Sequence, residues 1–173
     1  MKRETHPVWT VYDKLRSARL NVKYYSRRLE NLERTNFWLE LILLASAPSS
    51  AVAGLWFWES EYGNLIWKYF GVIAAVAAVV KPLLSLTKRI KEFEGVLAGY
   101  RMLEYDLMEI KSLIEQKQKY DSALQTELRK AIQREKLLVG KTPETSEKKK
   151  VKAICEVEVR NELPPDCFFV PEE

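Results

Sequence analysis

The chain has one histidine and two cysteines among 173 residues. A His-based catalytic triad would have to use His6, which sits beside Pro7 close to the first residue. A structural zinc site takes about four Cys/His ligands, and only three such residues are present. Cys155 and Cys167 are too far apart for a CxxC redox pair, and neither has a neighbouring His, so both are expected as reduced thiols. No GxxxxGK followed by Ser or Thr, no GxGxxG and no HExxH occurs. The expectation is a protein that is not an enzyme and holds no metal and no cofactor.

A strong excess of one charge is also missing. Lys and Arg total 28 against 24 Asp and Glu, and a net charge of +4 is too small to argue for nucleic acid alone. Charge nearly vanishes from one block: Phe37 to Leu86 holds Glu40, Glu59, Glu61, Lys68 and Lys81 and no other charged residue. A water-soluble domain mixes apolar and charged residues along each element, whereas this chain segregates them.

Two runs fill that block. Residues 37–58 read FWLELILLASAPSSAVAGLWFW, and residues 65–86 read LIWKYFGVIAAVAAVVKPLLSL. At about 1.5 Å per residue each reaches roughly 33 Å, enough for a hydrocarbon core of about 30 Å. The six residues ESEYGN between them force two antiparallel neighbours. Aromatic residues gather at the ends: Phe37 and Trp38 at one, and Trp56, Phe57, Trp58, Tyr62, Trp67 and Tyr69 at the other. Amphipathic rings belong at headgroup depth. The connecting loop lacks Lys and Arg, while both outer flanks are rich in them, which places both termini in the cytoplasm. The charged stretch before the first run sets it apart from a cleaved signal peptide.

Within the spans, Ser46, Ser50 and Gly54 recur every four residues, and Gly71, Ala75 and Ala78 share a face. Small residues allow close backbone approach in lipid. They serve packing inside the hairpin or packing between copies. Glu40 and Lys81 fall at nearly equal depth near the cytoplasmic side, so they either pair or reach separately for the interface. Ser49 and Ser50 follow Pro48, where they can satisfy freed backbone groups. Glu40, Ser46, Ser49, Ser50 and Lys81 are the candidate intramembrane polar residues.

Before the first span, Val8, Val11, Leu15, Ala18, Val22, Tyr25, Leu29 and Leu32 alternate steps of three and four, a heptad seam. Phe93, Val96, Tyr100, Leu103, Leu107, Ile110 and Ile114 repeat it after the second. The seam weakens at Lys117 and Asp121. Residues 122–139 form another amphipathic helix, which extends the previous one or folds back, with folding back favoured; Gly140 and Pro143 stop it. Arg16, Arg19, Arg27, Arg28 and Arg34 are mainly a solvated face, and are also the candidate contacts to anionic lipid or nucleic acid.

Residues 140–150 have linker composition. In VKAICEVEV, Val151, Ala153, Cys155, Val157 and Val159 alternate with mostly charged neighbours, the pattern of a strand. A lone strand is marginal in water, so docking to a partner or another subunit is favoured over an ordered tail on the chain's own bundle. The resulting organisation is an all-α membrane protein with a short C-terminal β segment. It comprises a cytoplasmic N-terminal helix (1–36), a transmembrane hairpin (37–86), a cytoplasmic helical and coiled-coil-like region (87–139), a linker (140–150) and a strand module (151–173).

The Arg-rich helix YDKLRSARLNVKYYSRRLENLERTN (12–36), followed by a span, a short loop, a second span and a long amphipathic helix, resembles the two-transmembrane SLATT family of bacterial antiphage effectors. The resemblance covers roughly Tyr12 to Leu138. It implies an inner-membrane protein that oligomerises or opens on a signal, disrupts the membrane and arrests growth (abortive infection). It also implies a separate partner that senses, either a reverse transcriptase or a nucleotide-sensing component. A membrane-anchored scaffold that recruits a soluble partner is the alternative reading.

Overall fold

The computed structural model describes residues 6–46 and 61–171. Every regular element among them is helical: α1 (Trp9–Ser46), α2 (Glu61–Leu84), α3 (Leu86–Lys117), α4 (Ser122–Val139) and α5 (Lys149–Glu162), then a 3₁₀ turn at Pro165–Cys167. The chain divides into two compact units, one of residues 1–29 with 91–173 and one of residues 30–90.

The first unit is a helical bundle whose core follows the two seams. Val8, Val11, Leu15, Ala18 and Tyr25 of the α1 seam are buried, and Val22 and Leu29 are half-buried. On α3, all seven seam positions from Phe93 to Ile114 are buried. Each large side chain taken fully out of water contributes about 1.5–3 kcal/mol. Tyr25 joins the seams, stacking on Tyr100 at 5.5 Å between ring centroids and meeting Phe93 edge-on at 5.9 Å.

The chain turns after Lys117. Gln118 takes a left-handed backbone (φ 53°), and Asp121 caps α4, its carboxylate accepting from the Leu124 N–H at 2.9 Å. α4 folds back along α3: Arg134 pairs with Asp106, and Leu138 lies against Gly99. Leu124, Leu128, Ala131 and Leu138 are buried, whereas Ile132 and Leu137 point outward.

The expected strand is instead α5. Its alternation is real, but Val151, Cys155 and Val159 also stand four apart, as do Glu158 and Glu162. As a helix the segment satisfies its own backbone and needs no neighbouring strand edge, and Cys155 and Val159 become its buried stripe. Val151 is half-buried, and Ala153 and Val157 are exposed. The expected strand is therefore replaced by a helix packed within its own unit.

In the second unit, α2 covers residues 65–84 of the expected second span and runs through Pro82. It ends at Ser85, a left-handed residue (φ 45°) whose N–H donates to the Pro82 carbonyl at 3.1 Å. The first span is described as helix through Ser46, and its remainder, with Pro48, Ser49, Ser50 and Gly54, lies outside the described residues. Among the described residues no single helix is long and apolar enough to cross a membrane; α2 from Gly71 passes by length and composition only together with α3, across the bend at Ser85.

Candidate functional site

In the second unit, Glu40 and Lys81 of the expected spans meet. Lys81 donates from Nζ to Glu40 Oε1 at 2.8 Å, and Asn36 Nδ2 donates to the same oxygen at 3.1 Å. The pair sits in a groove of about 590 Å³ walled by Phe37, Leu41, Leu43 and Leu44. Around it the unit turns apolar side chains outward: Leu44 is 74 % exposed, Leu83 77 % and Val72 64 %. Trp38, Val76 and Val79 are exposed as well.

The small residues of α2 split between two faces. Ala77 is buried, one turn before Lys81. Gly71, Ala75 and Ala78 are exposed, and a methyl added at Gly71 would meet nothing within 4 Å. Among the described residues, then, the predicted packing stripe is an open face of the unit. Ser46 closes α1, and nothing further about it, Ser49, Ser50 or Gly54 is described.

In the first unit, the basic face of α1 is covered by the chain's own C-terminal arm, residues 144–171. Arg16 donates from Nε and Nη2 to the Leu163 carbonyl at 2.9 and 2.6 Å. Arg19 pairs with Glu162 at 3.1 Å and with Glu104 of α3 at 2.9 Å. Lys23 reaches Glu162 at 2.7 Å and Glu158 at 3.3 Å. Arg27 pairs with Glu158 and donates to Cys155 Sγ at 3.3 Å. Arg28 grips Glu144 through Nε, at 2.8 Å, and Nη2. The fifth candidate, Arg34, belongs to the second unit and donates to Asn31 Oδ1 at 3.2 Å.

No family model matches the chain, and neither the curated proteins nor the solved structures searched give a match.

The electrostatics follow from these contacts. Hydrogen bonds from Arg27 and then Lys23 hold Glu158 below its ordinary value, and those from Lys23 and Arg19 do the same for Glu162. The Lys23 ammonium is raised, chiefly by its bond to Glu162. Tyr24 is pushed up to about 12, first by burial and then by donating to Glu144 at 2.5 Å. The Tyr24 hydroxyl also accepts from the Lys148 N–H at 2.9 Å, which pins the start of α5 to α1.

The far end of the arm is held by rings. Phe168, buried, stacks on Tyr12 at 4.2 Å with an interplanar angle of 17°, and meets Trp9 edge-on at 6.1 Å. The Arg16 guanidinium lies 5.1 Å from the centre of the Phe168 ring. The carboxylates of the arm were not singled out from sequence, although the signal was available. Arg19, Lys23 and Arg27 stand four apart, and so do Glu158 and Glu162, giving two complementary ladders at helical spacing.

Among the described residues no group of three or more His, Cys, Asp or Glu is arranged to hold a metal ion. Cys155 is buried, Cys167 is exposed, and both are free thiols.

Proposed function

We propose that the protein is a membrane effector of the SLATT type: a two-span hairpin in the bacterial inner membrane, carrying a cytoplasmic helical bundle, that assembles into or opens a pore when a partner sensor releases it. The observation that carries this reading is the second unit's surface. Many of its apolar side chains face outward, and the charge pair Glu40–Lys81 is the element that can turn from a partner in lipid to the lining of a water-filled path. An ionisable side chain is costly in hydrocarbon, and much of that cost disappears where it lines water. The open face of Gly71, Ala75 and Ala78 gives neighbouring copies a place to approach closely. The test is expression of the chain alone and with its genomic neighbours while a potential-sensitive dye is followed. Absence of depolarisation under every trigger refutes the reading.

The scaffold alternative has its own support in the first unit, where Met102, Tyr105 and Met108 of α3 and Ile154 and Val157 of α5 are exposed. A soluble partner would cover such residues. Replacing both spans with unrelated ones separates the two: a scaffold keeps its activity and a pore loses it.

A further inference from the structure

The C-terminal arm resembles, in its chemistry, a ligand bound to α1. Its carboxylates sit on the cations as phosphates would, Glu144 on Arg28, Glu158 on Arg27 and Lys23, and Glu162 on Lys23 and Arg19. Beyond them a flat ring, Phe168, stacks on Tyr12 with a guanidinium beside its face, as a base stacks in a single-strand site. From Tyr12 to Arg28 this pattern extends about 24 Å along the helix.

The middle of the arm is lightly held, between a buried Glu144 side chain at one end and the buried Phe168 stack at the other. α5 buries only Cys155 and Val159, while Ile154 and Val157 face away from the bundle. Beside these, α5 and its end are attached by the Arg16 bonds to the Leu163 carbonyl and by ion pairs with partly exposed members, Arg19 and Glu162 being 40 % and 41 % exposed at the side chain. Such pairs are individually weak and are screened by salt. A polyanion that supplies both negative charge and stackable rings can replace the arm's ion pairs and the Phe168 stack.

We propose that the α1 face from Tyr12 to Arg28 is a binding surface for single-stranded nucleic acid, and that the C-terminal arm occupies it as an internal stand-in. Bases stack on Tyr12 and phosphates run along Arg16, Lys23, Arg27 and Arg28. Arg19 contributes less, because Glu104 of α3 also holds it. This inference does not depend on the pore reading, since a tethered scaffold would use the same surface.

The test uses the full chain in neutral phosphatidylcholine nanodiscs, with a fluorescein-labelled oligothymidine read by polarisation. Replacing Glu144, Glu158 and Glu162 together by Gln removes the competing charge while keeping a helix former at the two α5 positions. Binding should tighten at least tenfold over the wild type. With about four phosphates engaged, log affinity should fall with log salt at a slope near −3. Adding Lys23→Glu and Arg27→Glu should abolish the gain. Phe168→Ala alone should tighten binding severalfold by opening the Tyr12 face. The single change Glu162→Gln, which leaves Arg27–Glu158 and Arg28–Glu144 in place, keeps the test valid should the triple variant unfold, and it too should tighten binding.

Equal affinity for the wild type and the Glu162→Gln protein overturns the proposal. So does transfer of the variants to free phosphatidylglycerol vesicles without oligonucleotide binding, which would assign the face to anionic lipid. Unchanged affinity on Phe168→Ala, combined with equal competition by inorganic polyphosphate, would remove the stacking role and with it the specificity for nucleic acid.

Discussion

Gly95 and Gly99 lie one turn apart on α3 and make a matched pair for testing the fold-back of α4. A methyl added at Gly95 meets nothing within 4 Å, whereas one added at Gly99 would sit 2.2 Å from Leu138 Cδ2. Ala is favoured over Gly inside a helix by about 1 kcal/mol, and the loss of unfolded-chain freedom is the same at both sites. Gly95→Ala should therefore stabilise the first unit by about 1 kcal/mol. At Gly99 the same gain is set against an overpacking cost of about 1–3 kcal/mol. The low end applies if the Leu138 side chain, 8 % exposed, can swing outward.

A buried thiol on α4 supplies the assay. Ala131 is buried, so with Cys155 replaced by Ala and Cys167 by Ser, labelling of an Ala131→Cys variant by a thiol reagent requires α4 to open from the bundle. Gly95→Ala should slow labelling about fivefold, since 1.4 kcal/mol is tenfold at room temperature. Gly99→Ala should label at the parental rate or faster, by up to about thirtyfold. In a Leu138→Ala background the clash is gone, and Gly99→Ala should then slow labelling as much as Gly95→Ala does. If Gly99→Ala is as protective as Gly95→Ala with Leu138 in place, α4 does not lie against α3 at that point and the bundle is wrongly arranged.

Removing Arg28 leaves Glu144, whose side chain is 6 % exposed, without its cation and held by the Tyr24 hydroxyl, so Arg28→Ala should cost about 3 kcal/mol, read from labelling of the buried Cys155 in a Cys167→Ser background. Arm attachment should depend on pH in a defined direction. Glu158 and Glu162 are held below their ordinary value of 4.5, so their contribution is present above that pH and is lost as pH falls through the lower folded values. Lys23 is raised above 10.5, so its contribution is present below that pH and is lost as pH rises through the folded value. Hydrogen exchange of residues 149–162 should accelerate at both extremes, and equal protection of α5 at pH 3 and pH 7 would contradict the ion-pair attachment. Reversing one member of Glu40–Lys81 should impair assembly in nanodiscs, and exchanging both residues should restore it. Failure of the exchange to rescue either single variant would show that the pair is not the relevant contact.

The seams were legible in the sequence because a core of large apolar residues at steps of three and four has one helical solution, and Phe93 to Ile114 needed no other information. The weakened seam at Lys117 and Asp121 and the stop at Gly140 marked α4, but its direction rests on Gly99, where the missing side chain leaves room for Leu138. The C-terminal segment misled because period two and period four coincide in VKAICEVEV. Alternation counted the apolar residues and ignored that Glu158 and Glu162 match the cations of α1. The basic face was visible as composition, but its occupancy depends on pairing between residues more than a hundred positions apart, which no local pattern reveals.

The two attachments in the first unit respond to different solvents. α3 and α1 adhere through hydrocarbon, an adhesion that weakens in the cold and that salts excluded from the surface strengthen rather than screen. Much of α5 adheres through partly exposed charge, which ions loosen within a Debye length of about 8 Å, while Phe168 and Glu144 anchor the ends of the arm by burial. A rise in ionic strength would therefore loosen α5 before it opens the apolar seams of α1 and α3.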